Sequence, residues 1–113
     1  MKLVYEQNAF LGDVAKLITF CDIKGFILSG GELWRTSDQQ EIYVKQGKSK
    51  TLNSNHCRRL AIDLNFFKDD MMIVDKIDLQ FIGDYWEALS PENRWGGNFQ
   101  SILDVPHFER NLP

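Results

Sequence analysis

Residues 54–66 read SNHCRRLAIDLNF, and this stretch decides the fold. From Leu60 to Phe66 the apolar Leu60, Ile62, Leu64 and Phe66 alternate with Ala61, Asp63 and Asn65. That period of two predicts a strand with one buried face. The opposite face carries an aspartate in mid-strand beside a small alanine. A carboxylate there needs solvent, an arginine or a metal as its partner, and a solvated outer face is the plain alternative. His56 stands just before the strand.

Working outward, Phe67-Lys68-Asp69-Asp70 predicts a turn and Met71 to Val74 a returning strand. A helix is expected over Asp78 to Leu89, where Leu79, Ile82, Trp86 and Leu89 recur at helical spacing. Ser90-Pro91 stops it, Gly96-Gly97 reads as a turn, and a last short strand carries Leu103 to Phe108. Towards the N-terminus, Asn8 is the expected cap of a helix running to about Cys21, with Phe10, Val14, Leu17, Ile18 and Cys21 on one face. Gly25 ends that unit, and Phe26-Ile27-Leu28 has strand character. Thr36 with Gln39 fits a capping box for another helix, closed by Gly47. The polar KSKTLNSN, residues 48–55, reads as a loop. Short strands mixed with about three helices make the expected class α+β, with a small antiparallel sheet.

The 113 residues are 43% hydrophobic and 26% charged, ordinary globular usage that excludes disorder and collagen-like sequence. That length accommodates one domain with one core. No run of about 18 apolar residues is present, so no membrane insertion is expected. A net charge of −3 gives no global attraction to nucleic acid. The first residues carry Glu6 and no continuous apolar run, so a secretory signal is not expected. Cys21 and Cys57 are too few for a disulfide framework and read as thiols of a reducing cytoplasm. Cys57 follows a histidine, but nothing else completes a Cys-His nucleophile.

The two histidines, His56 and His107, each have a carboxylate nearby in sequence, Asp63 and Asp104. Pro106 stiffens the second pair. Two histidines and one aspartate supply three N/O ligands to Zn²⁺ and leave the fourth tetrahedral position to water, as a catalytic site requires. A further carboxylate that is not a ligand can take that water's proton. His56, Asp63, His107 and Asp104 fill these four roles.

Ser54-Asn55-His56 followed by Ala61-Ile62-Asp63 resembles the S-x-H-x-x-x-x-A-x-D motif of the zinc peptidase family that includes D-Ala-D-Ala carboxypeptidases and L-alanyl-D-glutamate endopeptidases. Asp104-Val105-Pro106-His107-Phe108-Glu109 resembles its second motif. Glu32-Leu33-Trp34-Arg35-Thr36, with Gln40, Tyr43 and Gly47, is similar to its arginine-containing segment. Residues 82–87 and 94–97 resemble a segment common in phage-encoded members. The resemblance runs from about residue 10 to 109. It implies a hedgehog/DD-peptidase fold, with His56, Asp63 and His107 as zinc ligands, Asp104 as catalytic acid/base and Arg35 steadying the substrate carbonyl as it becomes an oxyanion. For Arg35 a surface salt bridge is the alternative. Ser54 either orients a ligand or forms the turn. Many members have glycine where this chain has Arg59, and endopeptidase members usually carry aspartate at the position of Asp104.

Residues 42–62 hold Lys45, Lys48, Lys50, Arg58 and Arg59 with no acid before Asp63, a stretch suited to attract an acidic peptide or simply to face solvent. Trp34, Trp86 and Trp95 line a cleft or fill the core. The combined expectation is one zinc peptidase domain over residues 1–113, monomeric, that hydrolyses a stem-peptide bond of bacterial peptidoglycan, L-Ala–D-Glu. Like a phage endolysin, it would be made in the cytoplasm of a host bacterium and reach the wall on lysis. A D-Ala-D-Ala carboxypeptidase is the enzymatic alternative, and a non-catalytic zinc-stabilised binding module the alternative of another class. The retained Asp104 argues against the module.

Overall fold

The computed structural model describes residues 2–49 and 54–113. In chain order the elements are α1 (Lys2–Ile23), β1 (Ile27–Gly30), α2 (Ser37–Lys45), β2 (Ala61–Lys68), β3 (Met71–Ile73), α3 (Lys76–Leu89), β4 (Asn93–Trp95), a 3₁₀ turn (Gly96–Asn98) and β5 (His107–Arg110). The strands form one antiparallel sheet in the order β1-β2-β5-β4. β2 is the hub. One of its edges goes to β1, and the other is divided between β5, at Ala61 to Asp63, and β3, at Phe66 to Lys68.

The alternation in β2 works as the sequence implies. Leu60, Ile62, Leu64 and Phe66 are buried under α1 and α3, which contribute Phe10, Leu17, Cys21, Leu79, Ile82 and Trp86. Trp86 is the centre of this layer, with Phe10 and Phe108 edge-on to it at 5.6 and 5.9 Å. Burying an aromatic or aliphatic side chain of this kind contributes about 1.5–3 kcal/mol. Trp86 and Trp95 are therefore core residues, whereas Trp34 is half exposed and lines a hollow between α1 and the sheet.

Several boundaries differ from the sequence reading. α1 starts at Lys2, so Asn8 lies inside the helix and caps nothing. Tertiary contacts hold the added turns: Gln7 donates to the Arg58 carbonyl at 2.8 Å, and Glu6 pairs with Arg110 at 2.6 Å. Ile18 is nearly half exposed, unlike the other four residues of its expected face, which are buried. The helix ends as Gly25 implies: φ is +86°, Gly25 N–H donates to Asp22 and Phe26 N–H to Cys21, the left-handed glycine closure of a helix C-terminus. α2 is capped by Thr36, whose side chain accepts from Gln39 N–H.

β2 continues through Lys68, and the turn is only Asp69 and Asp70, with φ of 53° and 63°. Left-handed backbone at both centres matches the right-handed twist of the flanking strands in a two-residue hairpin. β4 was not foreseen. The last strand begins at His107 rather than Leu103, because Pro106 ends a turn in which His107 N–H donates to the Asp104 carbonyl.

Candidate metal centre

Strand register assembles the site. Asp63 on β2 lies opposite His107 on β5, Ala61 lies opposite Glu109, and Glu109 lies opposite Arg94 on β4. Side chains two apart share a face, so these five residues occupy the face of the sheet away from the core. The space left by the small Ala61 adjoins Glu109. Asp63 is pinned by its backbone as well: its N–H donates to Glu32 and its carbonyl accepts from Gly31, both at 2.8 Å.

His56 enters from the turn ahead of β2. Leu60 N–H donates to Asn55 at 2.9 Å, and Ser54 Oγ accepts from His56 N–H at 3.2 Å. Arg59 takes φ +58° here. That is the left-handed backbone that glycine adopts at least cost. On the other side, Gly96 backs the Asp104–His107 turn. A Cβ on Gly96 would stand 2.1 Å from the Asp104 carbonyl oxygen and 2.9 Å from the His107 Cβ.

Three donor atoms converge. His56 Nε2 is 3.1 Å from His107 Nδ1, and Asp63 Oδ1 is 3.3 and 3.4 Å from those two nitrogens. No other group of three or more such donors is found among the described residues. A tetrahedral Zn²⁺ with bonds of about 2.0–2.1 Å places its ligands about 3.3 Å apart. Asp63 Oδ1 is buried, and no hydrogen-bond donor is aligned on it among the described residues. The two nitrogens lie within hydrogen-bond distance of each other, and the unpartnered Asp63 oxygen stands beside both. The residues fit a divalent metal.

Electrostatics agree. Burial raises the Asp63 carboxyl, but contact with His107 and His56 and their charge hold it well below the usual carboxylate range. Burial lowers His107, yet Asp63 and Glu109 push it up to about 9.

Asp104 lies beside the triangle without joining it: its Oδ2 is 3.8 Å from His107 Nδ1, and its side chain is about half exposed, at 47%. Partial burial raises its carboxyl above the ordinary value, and the charge of Asp63 adds to this, against the pull of His107, His56 and Arg35. Arg35 is not a surface residue. Its side chain is 12% exposed, pairs with Glu32, donates to Gln40 at 2.7 Å and Ser54 at 3.2 Å, and lies over the Tyr43 ring at 4.7 Å. Ser54 thus serves both the turn and Arg35. Gln40, fully buried, explains why a polar residue stands on the inner face of α2.

Arg35, Asp104 and the triangle line one cleft of about 470 Å³, together with Lys48, Arg94 and Phe99. Of the described members of the basic stretch, only Lys48 reaches it. Arg59 lies over Trp34 instead, and Lys50 falls outside the described residues. A larger hollow of about 750 Å³ between α1 and the sheet is mostly apolar, with Arg59 as its one charged lining residue among the described residues; the donor triangle lies in the smaller cleft. Burial raises the Cys57 thiol, Arg35 works against this and Glu32 adds to it.

Sequence reasoning missed Glu109. It is buried, meets His107 Nε2 at 2.7 Å through Oε1, and accepts from Arg94 Nε and Nη2 at 2.8 and 2.6 Å through Oε2. Its position two residues after His107, on the same strand face, was the available signal.

A family described as D-alanyl-D-alanine carboxypeptidase matches residues 47–110, which include all three donors and Asp104. The crystal structure of the L-Ala D-Glu endopeptidase ChiX of Serratia marcescens has the same fold, with a TM-score of 0.71 at 23% identity over 88% of this chain and 79% of that one. A comparison with curated proteins returns no match.

Proposed function

The chain belongs to the D-alanyl-D-alanine carboxypeptidase family, and from that premise we propose that residues 1–113 are one zinc-dependent peptidase domain that cuts an internal stem-peptide bond of bacterial peptidoglycan, L-Ala–D-Glu. The observation that carries this reading is the donor triangle of His56, Asp63 and His107, with edges of 3.1 to 3.4 Å and Asp104 beside it. These three residues would hold the ion. When bound, Zn²⁺ acidifies a water and polarises the scissile carbonyl.

The chain's own residues do the rest. Asp104 takes the proton of the attacking water at its carboxylate and returns it to the departing amine nitrogen. Its partial burial suits a base that must accept and release a proton. Arg35, fixed by Glu32, Gln40 and Ser54, supplies the cation for the carbonyl oxygen as charge gathers there. One such donor is worth about 2.7–4 kcal/mol in other enzymes. Lys48 and Arg94 on the cleft wall suit the side carboxylates of an acidic stem peptide. A site that only stabilised a binding module would need no base beside the metal, so Asp104 favours catalysis.

The family's description favours a second reading, removal of terminal D-Ala. The endolysin setting, a monomer made in the host cytoplasm and acting on the wall at lysis, is supported by the likeness of residues 82–87 and 94–97 to phage-encoded members.

Incubating the zinc-loaded protein with purified peptidoglycan tests the reading. Mass spectrometry should find peptides that begin with D-Glu, and L-Ala left on the amino sugar. Free D-Ala as the sole product would replace the endopeptidase with a carboxypeptidase. Absence of any cleavage by folded, zinc-loaded protein would favour the binding module.

A further inference from the structure

Each histidine offers one ring nitrogen to the triangle, and the two rings treat their other nitrogen differently. His56 Nδ1 is buried with no hydrogen-bond partner among the described residues. His107 Nε2 meets Glu109 Oε1 at 2.7 Å, and both groups are buried. The second oxygen of Glu109 accepts two N–H groups from Arg94, at 2.8 and 2.6 Å. A carboxylate held in this way has no proton to give, so the contact at Oε1 is donated by His107 Nε2–H. In the neutral ring that a metal requires, the lone pair of His107 is then on Nδ1, the atom that faces His56 and Asp63.

We propose that Glu109, held by Arg94, is the positioning residue that sets His107 to present Nδ1 to the metal. The inference rests on the zinc reading of the site. The strand register supports it, because the residues that carry it lie on neighbouring strands: Glu109 opposite Arg94 and opposite Ala61, whose methyl leaves space for a carboxylate. A partner of this kind fixes ring orientation and raises ligand basicity, and its loss costs about 10–100-fold in metal affinity. Arg94 is half exposed on the cleft wall, so it can be altered without opening the core.

The test compares zinc affinity, by competition with a chromophoric chelator, for wild type, Glu109→Gln and Arg94→Gln. Proton–nitrogen NMR of the zinc-loaded proteins follows the His107 Nε2–H resonance. Gln keeps the size of Glu but carries an NH₂ that competes for the place facing Nε2, so it no longer selects one tautomer. Glu109→Gln should bind zinc about 10–100-fold more weakly and lose the protected Nε2–H signal, while Arg94→Gln shifts both in the same direction by less. A folded Glu109→Gln protein with wild-type zinc affinity would overturn the inference. If that variant does not fold, an Arg94→Gln protein with unchanged affinity and an unchanged Nε2–H signal overturns it. Wild type that binds no zinc would instead remove the metal reading on which the inference stands.

Discussion

Residues 32–49 with 54–56, and residues 96–110, each bring one histidine and two charged side chains to the same cleft, but they hold them by different means. In the first, side chains do the holding: Arg35 is clasped by Glu32, Gln40 and Ser54, and Ser54 in turn anchors the backbone of His56. In the second, the backbone sets the frame and Glu109, held by Arg94, meets the His107 ring. β5 is hydrogen-bonded between β2 and β4, and the Asp104–His107 turn is pressed against Gly96 with no room for a methyl. Asp63, on the shared strand, links the two halves. The loop-built half depends on a network in which each member can be changed separately. The strand-built half depends on registry, so its backbone positions are set together.

The most severe way to probe the strand-built half without disturbing its frame is Asp104→Asn. The variant should fold and keep zinc, because Asp104 is outside the donor triangle, yet lose about 10²–10⁴ in rate with its general base. Wild-type turnover by zinc-loaded Asp104→Asn would strike Asp104 from the mechanism. In the loop-built half, Arg35→Ala should also keep zinc and lower kcat, by about 10²–10³ for a lost oxyanion donor. A rise in KM with kcat intact would make Arg35 a docking residue. The smallest effect concerns stability in the presence of a chelator. His107→Ala should cost about 1–3 kcal/mol more than His56→Ala, because it strips buried Glu109 Oε1 of its donor. His56 Nδ1 has no such partner to abandon among the described residues. Equal losses in urea unfolding would break the contrast between the two halves.

Much of this was legible in the sequence where a pattern extends over several residues. The alternation from Leu60 to Phe66, the α3 stripe, Gly25 and the Thr36 cap all carry local physics that the fold keeps. The donor triangle was legible because histidine is scarce here and each has an aspartate near it. What escaped depends on contacts distant in sequence. The first turns of α1 are secured by Arg58 and Arg110, and no local signal reports that. β4 spans three residues, too short for a period to register. Glu109 reads as an ordinary strand-end charge until the register with Arg94 and Ala61 is known.

The pairing of Asp63 with His107 also sets where this chain can gain or lose length. Removing one residue between Leu60 and Asp63 would turn the carboxylate towards the core and send an aliphatic side chain into the cleft, since side chains on a strand alternate. The Asp69–Asp70 end of the same strand has no such constraint: it is an exposed loop tip, far along β2 from the donor triangle, and lengthening it costs only slowly growing closure entropy. Lineages descended from this sequence should therefore accumulate insertions at the hairpin tip and keep the spacing from His56 to Asp63 and from Asp104 to Glu109 unchanged.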